Sequence, residues 1–201
     1  MKSCKDFYDD SAQMWADNWY KDETLLPYLK SFLEHIGKKS PRVLDLCCGA
    51  GYESMRLKKL GAKVVGLDFS EKELEIAKNK NPEIEFHERN MLESYKDLGA
   101  FDGIVCIAGI VHLQGNDLKL AFDNMADVLK PDGCLLLVFR EGTEIIQTTT
   151  YNDVEYNRNF VYHSRENILK AMNGNFEFVE ELQSFDTWKY LFYKRTKKSL
   201  L

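Results

Sequence analysis

The stretch that decides the fold of this 201-residue chain reads Val43-Leu44-Asp45-Leu46-Cys47-Cys48-Gly49-Ala50-Gly51. It joins a predicted buried strand over residues 42–47 to a predicted helix over residues 52–60. Glycines at such a junction let the backbone approach a ligand, and the free amides of the helix start face the same cleft. Ser54 stands where the dinucleotide-binding fingerprint has its third glycine, so the pattern alone does not identify the ligand. The stretch predicts a ligand-binding turn between a strand and a helix.

Strands and helices alternate after this turn. Ser70 and Glu73 form the S-x-x-E pattern, in which each side chain satisfies a free amide at a helix start, and Asn81-Pro82 ends that helix. Parallel neighbours can be joined only by crossover connections, so this alternation predicts a parallel sheet. The predicted strands cover residues 63–67, 84–87, 103–107 and 135–139, and a predicted helix over 118–129 ends at a turn over 130–133.

The flanking segments differ from this alternating core. Residues 1–37 are helical in character and rich in aromatic side chains, and residues 140–163 are predicted to be a long loop. A helix over 164–172 and two strands over 176–182 and 187–194 follow. We expect one domain, with a helical lid (1–37), a cofactor-binding half (40–140), and an active-site loop with the C-terminal strands (141–201).

Composition and charge exclude several classes of protein. Hydrophobic residues make up 44% and charged residues 29% of the chain, as in an ordinary globular protein. The net charge of −5 gives no global attraction to a nucleic-acid backbone, and we interpret the basic tail of residues 194–198 as a solvated end. We therefore expect no nucleic-acid partner.

Membrane insertion and metal binding are not expected either. The longest apolar run, residues 134–139, is far shorter than the roughly 20 residues of a membrane span. Acidic residues near the N-terminus, Asp6, Asp9 and Asp10, do not suit a signal peptide, so we expect a cytoplasmic protein. The five cysteines have neither disulfide-framework nor zinc-site spacing, and the adjacent Cys47 and Cys48 are interpreted as small buried hydrophobes.

The end of the second predicted strand supplies an acidic residue, Asp68. A carboxylate here can accept hydrogen bonds from both ribose hydroxyls of an adenosine. Phe69 beside it can pack against the adenine ring. Asp68 alternatively caps a helix, but Ser70 already supplies a cap.

Five segments in order now carry a family resemblance: DLCCGAG (45–51), GLDFS (66–70), ERNML (88–92), FDGIVCIAGIVHL (101–113) and LKPDGCLLLVF (129–139). They resemble the successive motifs of class I S-adenosylmethionine-dependent methyltransferases, in particular the small-molecule enzymes with an N-terminal helical lid. The resemblance implies a doubly wound α/β fold with a mostly parallel seven-stranded sheet, helices on both faces and an antiparallel last strand. It also implies S-adenosylmethionine as cofactor, with no metal.

The resemblance assigns the methionine end of the cofactor to Asp45, Cys47, Gly49 and Gly51, mostly through backbone and water, and its amino group to the Ile107 carbonyl. Cys47 replaces the first glycine of the motif. We expect this to matter little if only its backbone is used and its φ is negative.

The adenosine end is assigned by the same resemblance to four residues. Asp68 would bind the ribose hydroxyls and Phe69 would pack on adenine. Asn90, with the backbone of Met91, would recognise the adenine edge. Asn90 replaces the commoner Asp, but its amide oxygen can still accept from the exocyclic amine.

Methyl transfer from a sulfonium depends mainly on positioning the acceptor, and a base is needed only if the nucleophile arrives protonated. His112 lies after the fourth predicted strand, where the family often has a histidine near the transferred methyl, and is the candidate base. Arg140, at the end of the fifth strand, is a candidate for holding an anionic substrate group or for forming a plain salt bridge.

Aromatic side chains are predicted to cover the cleft from two segments. Tyr8, Trp15 and Tyr20 in the N-terminal helical region are the predicted lid contacts, the alternative being an ordinary amphipathic helix packed on the sheet. Aromatic residues over 151–162 suggest a roof suited to a planar or alkylated amine, although aromatics also simply fill cores.

The expected activity is methyl transfer to a nitrogen or oxygen atom of an unidentified small molecule, and the oligomeric state is left open. A nicotinamide-dependent oxidoreductase shares the first strand, the turn and the acidic residue, but the third glycine and a substrate domain are missing. A nucleic-acid methyltransferase is disfavoured, because residues 106–109 read Cys-Ile-Ala-Gly where adenine-modifying enzymes carry an Asp/Asn-Pro-Pro-aromatic segment. A non-catalytic S-adenosylmethionine-binding protein remains an alternative.

Overall fold

A computed structural model of the chain describes residues 1–197, so Lys198 of the basic tail lies outside the described residues. The helices are α1 (Cys4–Trp19), α2 (Leu26–Ile36), α3 (Tyr52–Lys59), α4 (Glu71–Lys80), α5 (Gly115–Val128) and α6 (Arg165–Met172). The strands are β1 (Arg42–Leu46), β2 (Lys63–Asp68), β3 (Glu85–Glu88), β4 (Phe101–Ile107), β5 (Leu129–Arg140), β6 (Ile145–Tyr151), β7 (Val154–Val161), β8 (Phe176–Glu181) and β9 (Trp188–Arg195).

Seven strands form one sheet in the order β3-β2-β1-β4-β5-β9-β8. The first five are parallel, whereas the last strand of the chain, β9, is antiparallel to both of its neighbours. This confirms the predicted fold class. The strand order reverses between β1 and β4, and ligands of open α/β sheets bind outside the carboxyl ends of the strands at such a switch point.

Helices cover both faces of the sheet because its central strands are apolar on both sides. In β5, Leu135 and Leu137 belong to the core beneath α5 and α6, and Leu136 and Val138 belong to the core beneath α2 and α3. All four are essentially buried. The near-continuous apolar run that predicted this strand is thus explained by two cores meeting at one strand.

The hairpin of β6 and β7 corrects the prediction of a long loop over residues 140–163. The two strands pair antiparallel as a separate two-stranded sheet. Asn152 and Asp153 connect them with φ of 47° and 60°, the positive values that a tight two-residue hairpin turn requires. Asn and Asp tolerate such values better than most residues. Because the β6 run is rich in Thr rather than in apolar residues, periodicity did not reveal it.

The turn predicted over residues 130–133 also differs from the structure. The strand β5 already begins at Leu129, and the pairing with β4 skips from Leu129 to Cys134. Asp132 within the skipped segment has φ of 61°. The four residues are therefore a local irregularity of β5 rather than a turn that separates a helix from a strand.

The N-terminal helix α1 packs against α4 and β7. The Lys2 amide and carbonyl pair with the backbone of β7, at 3.2 Å to the Glu155 oxygen and 2.8 Å from the Asn157 nitrogen. The Tyr156 hydroxyl donates to Asp10 at 2.7 Å. These contacts join α1 and the β6–β7 hairpin.

None of the helices within residues 1–197 has the length and apolar character needed to cross a membrane. The basic end of the chain is engaged by neighbouring protein groups. Arg195 donates to the Ala126 carbonyl at 2.9 Å, and Lys197 lies 2.9 Å from Asp132.

Candidate functional site

The turn after β1 is built from backbone in the left-handed region. Cys47, Gly49 and Gly51 have φ of 61°, 50° and 80°. The expectation of a negative φ at Cys47 is therefore wrong. A side chain in this region costs roughly 1–2 kcal/mol, so the tight turn imposes on Cys47 a conformation that its family counterpart, glycine, adopts freely.

Asp45 faces the start of α3 from the carboxyl half of β1. Its Oδ2 accepts from the Ser54 hydroxyl at 2.6 Å, and both side chains are buried. Burial raises the pKa of the Asp45 carboxyl to about 7. The serine at the position of the missing third glycine thus has a structural function, because it holds the carboxylate below the turn.

Asp68 holds the turn from the end of β2. Its Oδ2 accepts from the Gly49 amide at 2.8 Å, and its Oδ1 accepts from the Ser70 amide at 2.9 Å. Burial raises the pKa of this carboxyl. Each oxygen keeps a further lone pair for a ligand hydroxyl.

Glu73 is a residue of this site that the sequence analysis interpreted only as a helix cap. The Ser70 hydroxyl accepts from the Glu73 amide at 3.2 Å, as predicted. The Glu73 carboxyl, however, lies beside the glycine turn: a Cβ placed on Gly49 would be 3.6 Å from its Oε2, and the Ser70 amide donates to Asp68 instead. Its Oε2 is buried without a hydrogen-bond partner among the described residues. Burial raises the pKa of Glu73 to about 9.

The residues assigned to adenosine follow β2 and β3, and Ile107, assigned to the cofactor's amino group, ends β4. The Phe69 ring lies 5.9 Å from the Tyr8 ring. Asn90 is exposed, and its amide oxygen accepts from the Leu92 amide at 2.9 Å. Met91 is buried, with its sulfur 3.5 Å from the Cys47 sulfur. Ile107 is the last residue of β4. The fold therefore brings these segments to the carboxyl end of the sheet.

Three distant side chains form one hydrogen-bonded row after β4. His112 Nδ1 lies 2.6 Å from the Asn159 carbonyl oxygen, which only accepts, so Nδ1 carries the proton. Nε2 therefore accepts from the Tyr8 hydroxyl at 2.7 Å, and the Tyr8 oxygen accepts from Arg158 Nη2 at 2.9 Å. Burial lowers the pKa of His112 to about 4. The row holds His112 neutral, with its basic nitrogen directed at Tyr8.

The two other predicted lid residues contact different parts of the molecule. The Tyr20 hydroxyl donates to the Ala50 carbonyl at 2.6 Å and accepts from Asn81 at 2.9 Å, so Tyr20 lies against the glycine turn. Trp15 is partly buried, and its indole donates to the Ser11 hydroxyl at 3.0 Å within α1. Of the three, Tyr8 is the one hydrogen-bonded to His112.

Arg140 is held at the end of β5 by several groups. Its Nη1 donates to Thr187 at 2.8 Å and lies 3.3 Å from both Asp186 and the Tyr162 hydroxyl. Its guanidinium also lies 4.9 Å from the centre of the Trp188 ring. The salt bridge that the sequence analysis kept as an alternative is thus present, while a role for Arg140 in binding substrate stays a prediction.

The inner face of β7 forms an aromatic and cationic surface beside His112. Alternate residues of a strand share a face. Tyr156 and Arg158 contact Phe7 of α1, Phe160 contacts His112, and Tyr162, just after β7, contacts Arg140 of β5. The Phe160 ring lies 6.0 Å from the His112 ring. Because the hairpin itself was not predicted, Arg158 was missed.

A cavity of about 680 Å³ lies elsewhere, between the start of α5, the open end of the hairpin at residues 143–145 and 161–163, and α6. Its lining includes Tyr162 and His163 but neither the glycine turn nor His112. We place the site at the glycine turn nevertheless, since the switch point and the buried carboxylates lie there. Among residues 1–197, no group of three or more His, Cys, Asp and Glu side chains is arranged to hold a metal ion.

Comparison with known proteins bears on the family and the fold. Residues 43–133 match the family model described as "Methyltransferase domain". Bacillus subtilis (strain 168) YqeM is 33% identical over 131 residues, covering 61% of this chain and 53% of YqeM. Demethylmenaquinone methyltransferase of Chlorobaculum tepidum is 31% identical over 137 residues, covering 66% of this chain and 53% of the enzyme. The chain thus spans about half the length of these curated relatives.

The fold is also that of solved methyltransferases. Magnesium protoporphyrin IX methyltransferase from Synechocystis PCC 6803, crystallised with bound SAM, superposes with a TM-score of 0.73. The alignment covers 96% of this chain and 95% of that one at 18% identity. The sheet described above therefore has the class I S-adenosylmethionine-dependent methyltransferase fold, and residues 43–133 match the model of a methyltransferase domain.

Proposed function

We propose that this chain, which carries a class I methyltransferase domain, transfers a methyl group from S-adenosylmethionine to an O–H or N–H group of a small molecule. The named relatives that methylate demethylmenaquinone and magnesium protoporphyrin IX support a small-molecule acceptor. The observation that carries the proposal is the set of buried carboxylates on the glycine turn.

These carboxylates distinguish the proposed cofactor from a dinucleotide. In dinucleotide-binding sheets, the turn amides face a pyrophosphate. Here the Gly49 amide already donates to Asp68, the Glu73 carboxyl lies beside Gly49, and Asp45 lies buried against the start of α3. A pyrophosphate would find the Gly49 amide engaged, and it would further disfavour the ionised forms of Asp45 and Glu73, whose pKa values burial already raises. A cofactor with net positive charge gains from the same groups, and the unpartnered Glu73 Oε2 leaves room for a donor.

The residues present fit the proposed cofactor. Asp68 would hold the ribose hydroxyls with its free lone pairs, and the backbone of the turn at Cys47 and Gly49 would hold the methionine end. Phe69 would pack on adenine beside Asn90. When bound, S-adenosylmethionine supplies a methyl group on a positively charged sulfur. The neutral thioether left behind is a good leaving group.

The chain's own proton chemistry would be performed by His112 and Tyr8. His112 Nε2 accepts from the Tyr8 hydroxyl, so an acceptor O–H or N–H that donates to the Tyr8 oxygen can pass a proton along the row. The acceptor's proton moves to the Tyr8 oxygen as the Tyr8 proton moves to Nε2. The Asn159 carbonyl holds the imidazole in the tautomer this requires. A base so positioned favours acceptors that arrive protonated.

The helix α1 and the β6–β7 hairpin would act as a lid and a roof. Tyr8, Trp15 and Tyr20 come from the α1 region, and Phe160 and Tyr162 come from the hairpin. Their joint cover would keep water from the sulfonium and orient a flat or apolar part of the acceptor. In this proposal Arg140 supports the roof through Tyr162 and Trp188.

Calorimetric titration with S-adenosylhomocysteine and, separately, with NADH tests the cofactor. We expect micromolar binding of S-adenosylhomocysteine and no binding of NADH. The reverse result would overturn the proposal in favour of an oxidoreductase.

Methyl transfer itself is tested with labelled S-adenosylmethionine and a cell extract divided into small-molecule, protein and nucleic-acid fractions. We expect label in the small-molecule fraction with the wild-type chain and much less with His112→Asn. Label in the nucleic-acid or protein fraction would contradict a small-molecule acceptor. Label in none of them would favour a non-catalytic binding protein.

A further inference from the structure

We infer that Arg158 is a carboxylate-binding residue of the active site, and this inference rests on the proposed function. Arg158 lies on β7, with its side chain on the inner face of the hairpin. Its guanidinium carbon lies 4.5 Å from the centre of the Phe7 ring and 5.3 Å from the centres of the Tyr8 and Phe160 rings. Three aromatic rings therefore surround one cation.

Arg158 has very few polar partners for a partly buried cation. The Tyr8 hydroxyl is the acceptor of its Nη2, and its Nε is buried with no partner among residues 1–197. Within the same range, no carboxylate forms a salt bridge with it. Arg56, which is buried, pairs with Glu53 at 3.0 Å, and Arg140 lies 3.3 Å from Asp186. Buried charges are normally paired, so the missing partner of Arg158 points to a ligand anion.

The chemistry of the side chain specifies which anion. A guanidinium presents a planar set of donors that matches the two oxygens of a carboxylate, and aromatic faces beside it strengthen that match by excluding water. The surrounding Phe7, Tyr8 and Phe160 rings leave one compact planar group, rather than a large polyanion, as the fitting ligand.

The position of Arg158 relative to His112 limits the size of the acceptor. Both side chains bond to the Tyr8 oxygen, at 2.9 Å and 2.7 Å. If the acceptor supplies the carboxylate, its nucleophilic atom must lie only a few bonds away to reach Tyr8. The acceptor class is then a small amino acid or hydroxy acid, aliphatic or aromatic. The other source of the same chemistry is the carboxylate of the cofactor's methionine moiety.

The test uses acetate as the probe and acetamide as its neutral counterpart of the same shape. The imidazole signals of His112, assigned by their loss in His112→Asn, are followed by NMR at constant ionic strength. We expect a saturable shift with acetate and none with acetamide. Arg158→Met should weaken acetate binding about tenfold or more, as loss of a charge-assisted contact predicts.

Two further variants keep the result interpretable. Arg158→Lys retains the cation and should bind acetate more weakly than wild type but more tightly than Arg158→Met. If Arg158→Met fails to fold, the weaker binding of Arg158→Lys relative to wild type still tests the inference. Arg42→Met is the matched control, because Arg42 also lies over an aromatic ring, 4.3 Å from Phe101, but at the amino end of the sheet. It should bind acetate as wild type does.

Repeating the titration with S-adenosylhomocysteine at saturation separates the two sources. If the acceptor supplies the carboxylate, acetate binds in both states, and Arg158→Met keeps its affinity for S-adenosylhomocysteine. If the cofactor supplies it, saturation blocks acetate, and the variant loses that affinity. No saturable acetate shift in the wild-type protein, or the same acetate affinity in Arg158→Met, would overturn the inference. Failure of the proposed function would appear separately, as no binding of S-adenosylhomocysteine to the wild-type chain.

Discussion

Replacing Asp68 by Asn should weaken binding of S-adenosylhomocysteine while leaving the chain folded. In the wild-type protein, the two carboxylate oxygens accept from the Gly49 and Ser70 amides at 2.8 and 2.9 Å. The amide side chain of Asn keeps one acceptor oxygen and turns an NH₂ group toward the other backbone amide. One of the two acceptor oxygens available to the ribose is lost, together with the charge.

The magnitude follows from the kind of hydrogen bond removed. A hydrogen bond to a charged group contributes about 1.5–3 kcal/mol, which corresponds to roughly a 10- to 150-fold increase in Kd. Asp68→Ala removes both acceptor oxygens and leaves both backbone amides without this partner. Its effect should therefore be at least as large, with a further loss of stability.

Isothermal titration calorimetry with S-adenosylhomocysteine measures the change, and thermal unfolding of each variant shows that the protein is folded at the titration temperature. Ser70→Ala is the control, because Ser70 caps α4 and should cost about 1 kcal/mol of stability without changing cofactor affinity. Wild-type affinity in a folded Asp68→Asn protein would refute the ribose-binding assignment.

Four other predictions test the site and the fold. His112→Asn and Tyr8→Phe should both lower turnover, by about 10²–10⁴-fold for loss of the base, at unchanged affinity for S-adenosylhomocysteine. Burial lowers the pKa of His112 to about 4. The rate should therefore stay constant as the pH is lowered from neutral and should fall only near pH 4, where His112 gains a proton. A fall in rate at the ordinary histidine pKa would contradict the buried row. Because φ at residue 47 is positive, Cys47→Gly should unfold at the same or a higher temperature than wild type. The free energy of unfolding of Cys47→Val, measured by denaturant titration, should fall by about 1–3 kcal/mol. A valine variant more stable than wild type would exclude this turn geometry. Gly103→Ala would place a Cβ 2.6 Å from the Phe32 ring of α2. The free energy of unfolding of this variant should therefore fall by about 1–3 kcal/mol. An unchanged Tm would show that α2 is not packed as described.

Much of the sheet was predictable because its signals are local. The β5 run is apolar over consecutive residues, as expected for a strand with a core on each face. Asp45 and Asp68 could be placed together as well, because parallel strands bring their carboxyl ends to one edge. The β6–β7 hairpin was not predictable from apolar periodicity, since its outer strand is mostly exposed and its turn uses Asn152 and Asp153 rather than glycine.

The candidate site depends more on contacts between distant residues. Sequence identified Tyr8 and His112 separately, but their hydrogen bond joins residues 104 positions apart, and the bond from Arg158 to Tyr8 spans 150 positions. Glu73 was placed correctly at the start of α4, yet its carboxyl lies beside Gly49 in the turn after β1. Such partners are set by how the elements pack, which local patterns do not encode.

The sequence by itself determined the strands of the seven-stranded sheet and the helices between them, the glycine turn and the acidic residue of β2, because periodicity, glycine spacing and helix caps act over a few residues. The tertiary structure decided the left-handed conformation of Cys47, the tautomer of His112 and the presence of Arg158 beside Tyr8. Each of these arises where one element is pressed against another: the turn against the end of β2, and β7 against α1 and the turn after β4. The α/β fold was therefore available from local chemistry, whereas the proton path and the proposed carboxylate site were not.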